Sequence, residues 1–222
     1  MIPLVKDQVY HLFNRSINRE PVFTHKRNCS RVLTSMSFYR FEKTPVRLSY
    51  FLSWGQNKRN KLIDKLISGN KRKVDIIAYC LMPNHYHFLL KQLNKDGINR
   101  FLSLFQNSYT RYFNTKHRRV GPIFQGIFKA VRVETDEQLM HLSRYIHLNP
   151  YSSHIVNSVR ELKIYPWSSL REYIDKTNGL CQKELLFSLF NNNPKRYQKF
   201  VYNQADYQRH LEEIKHLTWE KT

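Results

Sequence analysis

Two histidines separated by one residue, His85 and His87, sit in a segment of β-favouring residues. On a strand the side chains repeat every two residues, so both imidazoles fall on one face, where their ring nitrogens can chelate a single metal ion. A second set, His141, Tyr145 and Asn149, is spaced i, i+4, i+8 and shares one helix face, with Leu139, Leu142 and Ile146 supplying an apolar face for packing. If the polar face of that helix lies over the histidine strand, Asn149 brings an amide oxygen as third ligand and Tyr145 a phenol beside the metal. The same residues also fit a plainer role. Ten histidines make a chance H-x-H pair common, and a tyrosine at a helix boundary often serves packing with its hydroxyl at the rim.

The elements that carry these residues can be read from pattern. Val74 to Leu81 is β-rich, Met82-Pro83-Asn84 forms a turn, and His85 to Leu90 resumes as a strand, giving a hairpin. Thr135 to Asn149 is the clearest helix. Thr135 and Gln138 form a capping box, Asp136 and Glu137 suit the positive helix start, and Pro150 is expected to end the helix at Asn149. Val9 to Arg15 reads as a first strand, followed by a polar stretch to about Thr44 with a turn and a short helix. Arg47 to Ile67 reads as one interrupted helix or two short ones, ended by Gly69-Asn70, and Ile98 to Asn114 as an amphipathic helix. Phe124 to Val133 reads as a strand interrupted at Gly126. Beyond Tyr165-Pro166-Trp167 the pattern is helical from Lys183 to Phe190 and from Pro194 to His216. Strands separated by helices of this length predict an α+β fold, an antiparallel sheet covered by helices, with a C-terminal helical extension. The domain reading is 1–157 for the sheet-bearing domain and 158–222 for the extension, a loop and then helices.

Charge narrows the function. The 222 residues carry 37 lysines and arginines against 17 acids, a net charge of +20, far more than solubility requires, so a polyanionic partner is expected. Residues 1–157 hold 26 basic and 9 acidic residues, a net +17, and the remainder only +3. One cluster runs from Lys58 to Lys73 and another contains Arg111, Lys116, Arg118 and Arg119. Tyr50, Phe51 and Trp54 precede the first, and Tyr109, Tyr112 and Phe113 are interleaved with the second, a mixture expected where phosphates pair with cations and bases stack on rings. Cys29, Cys80 and Cys181 form no metal-binding pair and read as reduced thiols. No apolar run is long enough to span a membrane, and the first ten residues lack the apolar core of a signal peptide, so a cytoplasmic location is expected.

Five segments carry a family resemblance. Leu81-Met82-Pro83-Asn84-His85-Tyr86-His87-Phe88-Leu89-Leu90 resembles the metal-binding strand of the single-tyrosine HUH transposases, in particular the REP-associated tyrosine transposase branch. Tyr10-His11-Leu12-Phe13-Asn14-Arg15 is similar to the family's opening strand, and Gly121-Pro122-Ile123-Phe124-Gln125-Gly126 to its central loop. Arg144-Tyr145-Ile146-His147-Leu148-Asn149-Pro150 is similar to its catalytic helix, and Tyr165-Pro166-Trp167-Ser168-Ser169 to a later signature. The resemblance implies a ferredoxin-like or RRM-like sheet, His85 and His87 as metal ligands, Tyr145 as nucleophile and Asn149 as a third ligand. It further implies a bacterial protein, nucleoid-associated when bound to DNA. One departure stands out: Ile127 occupies a position where family members commonly carry arginine, so a phosphate contact there is missing or falls to Lys129 or Arg132.

The function these readings lead to is cleavage and rejoining of single-stranded DNA at hairpin-bearing elements through a 5′-phosphotyrosine intermediate, with Mg²⁺ or Mn²⁺ as cofactor. A His-His-Asn site leans chemically to Mn²⁺, while water and substrate oxygens can complete a shell for Mg²⁺. Arg15, Arg111, Arg118 and Arg119 are the candidate backbone contacts, and a homodimer is compatible with all of this. The competing readings are a non-catalytic RRM-like nucleic-acid-binding module and a metal-dependent nuclease that uses water.

Overall fold

The computed structural model describes residues 3–69 and 71–219. It is built on four strands, β1 (Val9–Arg15), β2 (Val74–Met82), β3 (His85–Gln92) and β4 (Lys129–Val133), in the spatial order β2-β3-β1-β4 with every neighbouring pair antiparallel. Helices α1 (Lys26–Tyr39), α2 (Leu48–Ser53) and α3 (Gln56–Ser68) connect β1 to β2, and α4 (Gly97–His117) connects β3 to β4. This is the expected α+β architecture with the strand order of a ferredoxin-like sheet. α5 (Asp136–Ser152) follows β4. Then come α6 (Leu170–Ile174), α7 (Glu184–Ser188), α8 (Pro194–Tyr202) and α9 (Ala205–Trp219).

Register fixes the two faces of the sheet. His87 pairs with Phe13 and with Cys80, and His85 with Arg15 and Met82. Residues directly opposite share a face, so these side chains all point to the layer that holds α5. The intervening Tyr86 and Phe88 point the other way and pack on Phe105 of α4, at ring distances of 5.5 and 5.6 Å. One residue of slip would exchange the histidines with this buried aromatic core, so hydrophobic burial itself holds the imidazoles on their face.

Several elements differ from the sequence reading. The polar stretch before Thr44 contains a 14-residue helix, α1, whose buried residues Cys29, Val32 and Met36 follow helical spacing. The interrupted helix of Arg47 to Ile67 is two helices, split at Trp54-Gly55, and Asn70 lies outside the described residues. Phe124 makes only an isolated bridge to Ser16. Gly126 then turns the chain at φ +54°, and the ladder starts at Lys129. Pro150 does not end α5, which continues to Ser152. Proline removes one donor in the last turn, and burial of Tyr151 and Ser152 together with bonds from Ile155 and Val156 to the Pro150 carbonyl offset that loss. The long C-terminal helix is broken into α8 and α9.

The C-terminal segment is woven into the core. Leu162, Leu170, Tyr173, Leu186, Tyr197 and Val201 are buried in the same apolar cluster as the sheet. Its backbone lies along β2, with Leu81 N–H donating to the Trp167 carbonyl (2.9 Å) and Ser169 N–H to the Tyr79 carbonyl (3.0 Å). That edge of the sheet is therefore paired rather than open. The three cysteines are buried, and burial pushes their thiols up, Cys29 to about 12, so they behave as small apolar side chains.

Candidate active site

α5 presents the residues that the sequence placed on it because its cap and core anchor are both in place. Thr135 Oγ1 accepts from the Gln138 N–H (3.1 Å), and the Gln138 side chain reaches back to the Glu134 N–H (2.8 Å), one residue earlier than the reciprocal box requires. Leu139, Ile146 and Leu148 are buried. α9 holds the other end: Gln208 donates to the Tyr145 carbonyl (3.2 Å), and the Arg209 guanidinium lies 3.5 Å from the centre of the Tyr151 ring.

In this frame Tyr145 meets the histidine strand. Its ring stands edge-on to His87 at 5.5 Å and to His11 at 6.1 Å. His85 and His87 lie 5.0 Å apart, ring centre to ring centre. Asn149, 4% exposed, donates from Nδ2 to the Tyr145 carbonyl (2.8 Å), so its Oδ1 is the atom with lone pairs to offer. Arg15 stands opposite His85 at the end of β1. The structure thus brings together His85, His87, Tyr145, Asn149 and Arg15. His141 does not join them: it is exposed and accepts a hydrogen bond from Arg144 (2.7 Å).

His11 is the residue the site reading passed over. It sits on β1 beside His87, with His11 Nε2 and His87 Nδ1 at 3.0 Å. The signal was available, since Tyr10-His11 opens a strand whose odd positions share the face of the H-x-H pair once β1 and β3 are neighbours; that adjacency is long-range and absent from local pattern.

Burial sets the protonation states. It lowers His11 and His85 to about 4 and His87 well below its usual value, helped for His85 by the charge of Arg15 and for His87 by His85, His11 and Arg15. All three are neutral at pH 7, the state in which imidazole offers a lone pair. His85 Nδ1 donates to Asn84 Oδ1 (2.7 Å), which leaves Nε2 as its ligand atom. Among the described residues no three His, Cys, Asp or Glu side chains cluster as a metal site. The donors at hand are two neutral imidazoles and an amide oxygen, a partial shell that suits a divalent ion sharing its remaining positions with water and substrate oxygens. Tyr145 is pushed up to about 12, by burial first and then by the charge of Glu212, with the Asn149 side chain and Arg15 acting in the opposite direction.

The basic residues divide. Lys129 pairs with Phe13 and shares the histidine face, whereas Arg132 lies on the other face and donates to Gln8 (3.0 Å). Arg118 is exposed at the C-cap of α4 with φ +51°. Arg119 is engaged in an ion pair with Glu20 (2.6 Å), which reduces its availability to a phosphate. Arg111 lies on α4, behind the sheet as seen from Tyr145. Of the interleaved rings, Phe51, Tyr109 and Phe113 are core residues, and Trp54 is covered by the Lys58 ammonium at 4.2 Å; Tyr50 is exposed.

Comparison with known proteins agrees with this picture. Residues 44–149 match the model of the family described as Transposase IS200 like. The histidine strand, Tyr145 and Asn149 all fall within it. Among solved structures, the REP-associated tyrosine transposase bound to a REP hairpin is similar over 78% of this chain and 82% of that one, with a TM-score of 0.50 and 13% sequence identity. At that identity the likeness is one of fold. No curated protein matches. Among the described residues no helix is long and apolar enough to cross a membrane.

Proposed function

We propose that the protein is a metal-dependent transposase that cleaves and rejoins single-stranded DNA at hairpin-bearing elements through a phosphotyrosine on Tyr145. The observation that carries this reading is the meeting of Tyr145 with the His85–His87 face across two different elements, in a chain whose matched family is a transposase family.

Tyr145 Oη attacks the scissile phosphorus, the P–O3′ bond breaks, and the departing 3′-oxygen takes up a proton. The 5′-phosphate remains on the tyrosine, so the bond energy is kept for a later 3′-OH to reverse the step and join a strand without ATP. The obstacle is the phenol. With Tyr145 at about 12, ionising it at pH 7 costs roughly 7 kcal/mol, against ~4 for an unperturbed tyrosine. Arg15 works against that cost, and so does any positive charge delivered with the substrate. A divalent cation held by His85 Nε2, His87 Nε2 and Asn149 Oδ1 would supply charge to the phosphoryl oxygens and orient the phosphate for in-line attack.

His11 has a defined part in this site. His87 can offer Nε2 only as its Nδ1–H tautomer, and that proton then donates to His11 Nε2 at the observed 3.0 Å. His11 is therefore a positioning residue that selects the ligating tautomer.

The test is incubation of wild type and Tyr145→Phe with 5′- or 3′-labelled single-stranded hairpin oligonucleotides, taken from repeats flanking the gene, with Mn²⁺ or Mg²⁺. A metal-dependent adduct carrying the 5′-phosphate side, absent in Tyr145→Phe, is expected on a denaturing gel. Cleavage without a protein-linked product would favour a water-using nuclease, and salt-sensitive binding without either product would favour a binding module.

A further inference from the structure

Cover over the histidine face of the sheet thins from one edge to the other. Register sets one row across the four strands as Cys80, His87, Phe13 and Lys129. Cys80 and His87 are buried, Phe13 is half-buried and Lys129 is exposed. Val131, the next β4 residue on that face and the partner of His11, is 52% exposed. The cause is the placement of α5, which lies chiefly over β2 and leaves the face open at Phe13, Lys129 and Val131.

Phe13 is the unusual member of that row. Every other phenylalanine of the chain is buried or packed against an apolar cluster, and the remaining tyrosines and phenylalanines of the four strands are core. The Phe13 ring rests instead against two imidazoles, His11 at 5.1 Å and His87 at 5.8 Å between centres. Tyr145 stands against the same two rings. Cations flank Phe13 on its own face, Lys129 across the row and Arg15 two residues along β1. Neither is in an ion pair among the described residues. An open ring between two free cations offers a surface for a base and positive charge for the phosphates next to it. Bases in a duplex are stacked on one another, so the strand that fits such a surface is single.

We propose that Phe13 is the stacking seat for the base of a nucleotide flanking the scissile phosphate, with Lys129 and Arg15 pairing with the phosphates beside that base. The inference rests on the reading of Tyr145 as the nucleophile and adds what holds its substrate. A phosphate at His87 and a base on Phe13 are one ring step apart, which a single deoxyribose can bridge. Every base has a face to stack, so Phe13 adds affinity without choosing the base.

The experiment uses the full chain as wild type, Phe13→Leu and Phe13→Tyr. Fluorescence anisotropy is read over a range of salt with two labelled probes of equal length and charge, an oligothymidylate and an oligomer of abasic deoxyribose phosphates. A base stacked on an aromatic side chain is worth about 5- to 150-fold in affinity, and leucine keeps part of the apolar contact. Phe13→Leu is therefore expected to bind oligothymidylate about five- to thirtyfold more weakly with an unchanged salt slope, and the abasic probe within about twofold of wild type. Phe13→Tyr, which restores the ring, should stay within about threefold of wild type on both. Lys129→Gln should weaken both probes and reduce the slope of log affinity against log salt by about 0.7, the single-strand value for one phosphate contact. Unchanged oligothymidylate affinity in Phe13→Leu overturns the proposal, and so does equal loss on both probes, which would mean that the ring only props the strand. The adduct assay separates this from the catalytic reading. Ring-dependent binding without a Tyr145 adduct leaves the seat standing and removes the tyrosine mechanism. An adduct formed equally by wild type and Phe13→Leu, with oligothymidylate affinity unchanged, removes the seat and leaves the mechanism.

Discussion

His147 lies on α5 between Tyr145 and Asn149 but points away from the site, into a buried chain of hydrogen bonds whose proton positions can be worked out. Ser143 spends its hydroxyl hydrogen on the Met140 carbonyl (2.7 Å), so it accepts from Tyr197 (3.1 Å). Tyr197, its hydrogen used, accepts from His147 Nδ1–H (2.7 Å), and His147 Nε2 is left to accept from Ser169 (2.7 Å), which itself accepts from the Tyr79 N–H (2.9 Å). The ring is therefore neutral and fully satisfied, and burial lowers it to about 3. Its folded value is depressed below 6.5, so the unfolded chain binds the proton first. The stabilisation is complete above pH 6.5 and is lost as pH falls towards 3. A shift of 3.5 units corresponds to roughly 5 kcal/mol at most, of which about 2 kcal/mol disappears between pH 6.5 and 4.5. His147→Gln removes this titration while retaining a donor and an acceptor, at an expected cost of about 1 to 3 kcal/mol at pH 7. Urea unfolding followed by tryptophan fluorescence at pH 7.0, 6.0, 5.0 and 4.5 should show wild type losing stability more steeply than the variant, by about 1.2 kcal/mol per pH unit between 6 and 4.5. The other buried histidines contribute equally to both proteins and cancel. Parallel curves would refute the neutral, proton-ordered network.

His11→Ala should weaken Mn²⁺ binding by about 10- to 100-fold in calorimetry, because the ligating tautomer of His87 loses its acceptor; affinity within twofold of wild type would remove His11 from the site. Thr135→Ala uncaps α5 and is expected to cost about 1 kcal/mol in urea unfolding, with unchanged Mn²⁺ affinity because His85 and His87 lie on β3 and Asn149 lies at the far end of α5.

What was legible in the sequence is what local periodicity encodes. The H-x-H pair shares a face because strands repeat every two residues, and Tyr145 and Asn149 share one because helices repeat near 3.6. The hairpin and the Thr135 cap also rest on near neighbours. What escaped depends on distance in the chain. His11 meets His87 across 76 residues and Arg119 meets Glu20 across 99, and neither partner is visible from its own surroundings. Tyr109 and Phe113 looked like stacking rings because arginines flank them, yet the helix turns them inward and the cations outward. The five family segments supplied the long-range order that pattern alone lacked, since they bring strand, helix and later signature together.

The edge pairing of β2 bears on the order in which the molecule can be completed during synthesis. By the time Val133 has left the ribosome all four strands exist, and α5 follows within twenty residues. Yet the Tyr79 and Leu81 backbone groups wait for Trp167 to Ser169, and His147 waits for Tyr197. After Val133 the strand edge therefore stays exposed for some 36 residues of translation and the slot beside His147 stays unfilled for 50, intervals of several seconds at ordinary elongation rates of about 5–20 residues per second. A chain truncated before Trp167 would leave a sheet edge ready to pair with another chain, whereas one truncated between Ser169 and Tyr197 would have that edge paired and still lack the acceptor of His147, so edge protection and the buried polar network are completed at separate stages of synthesis.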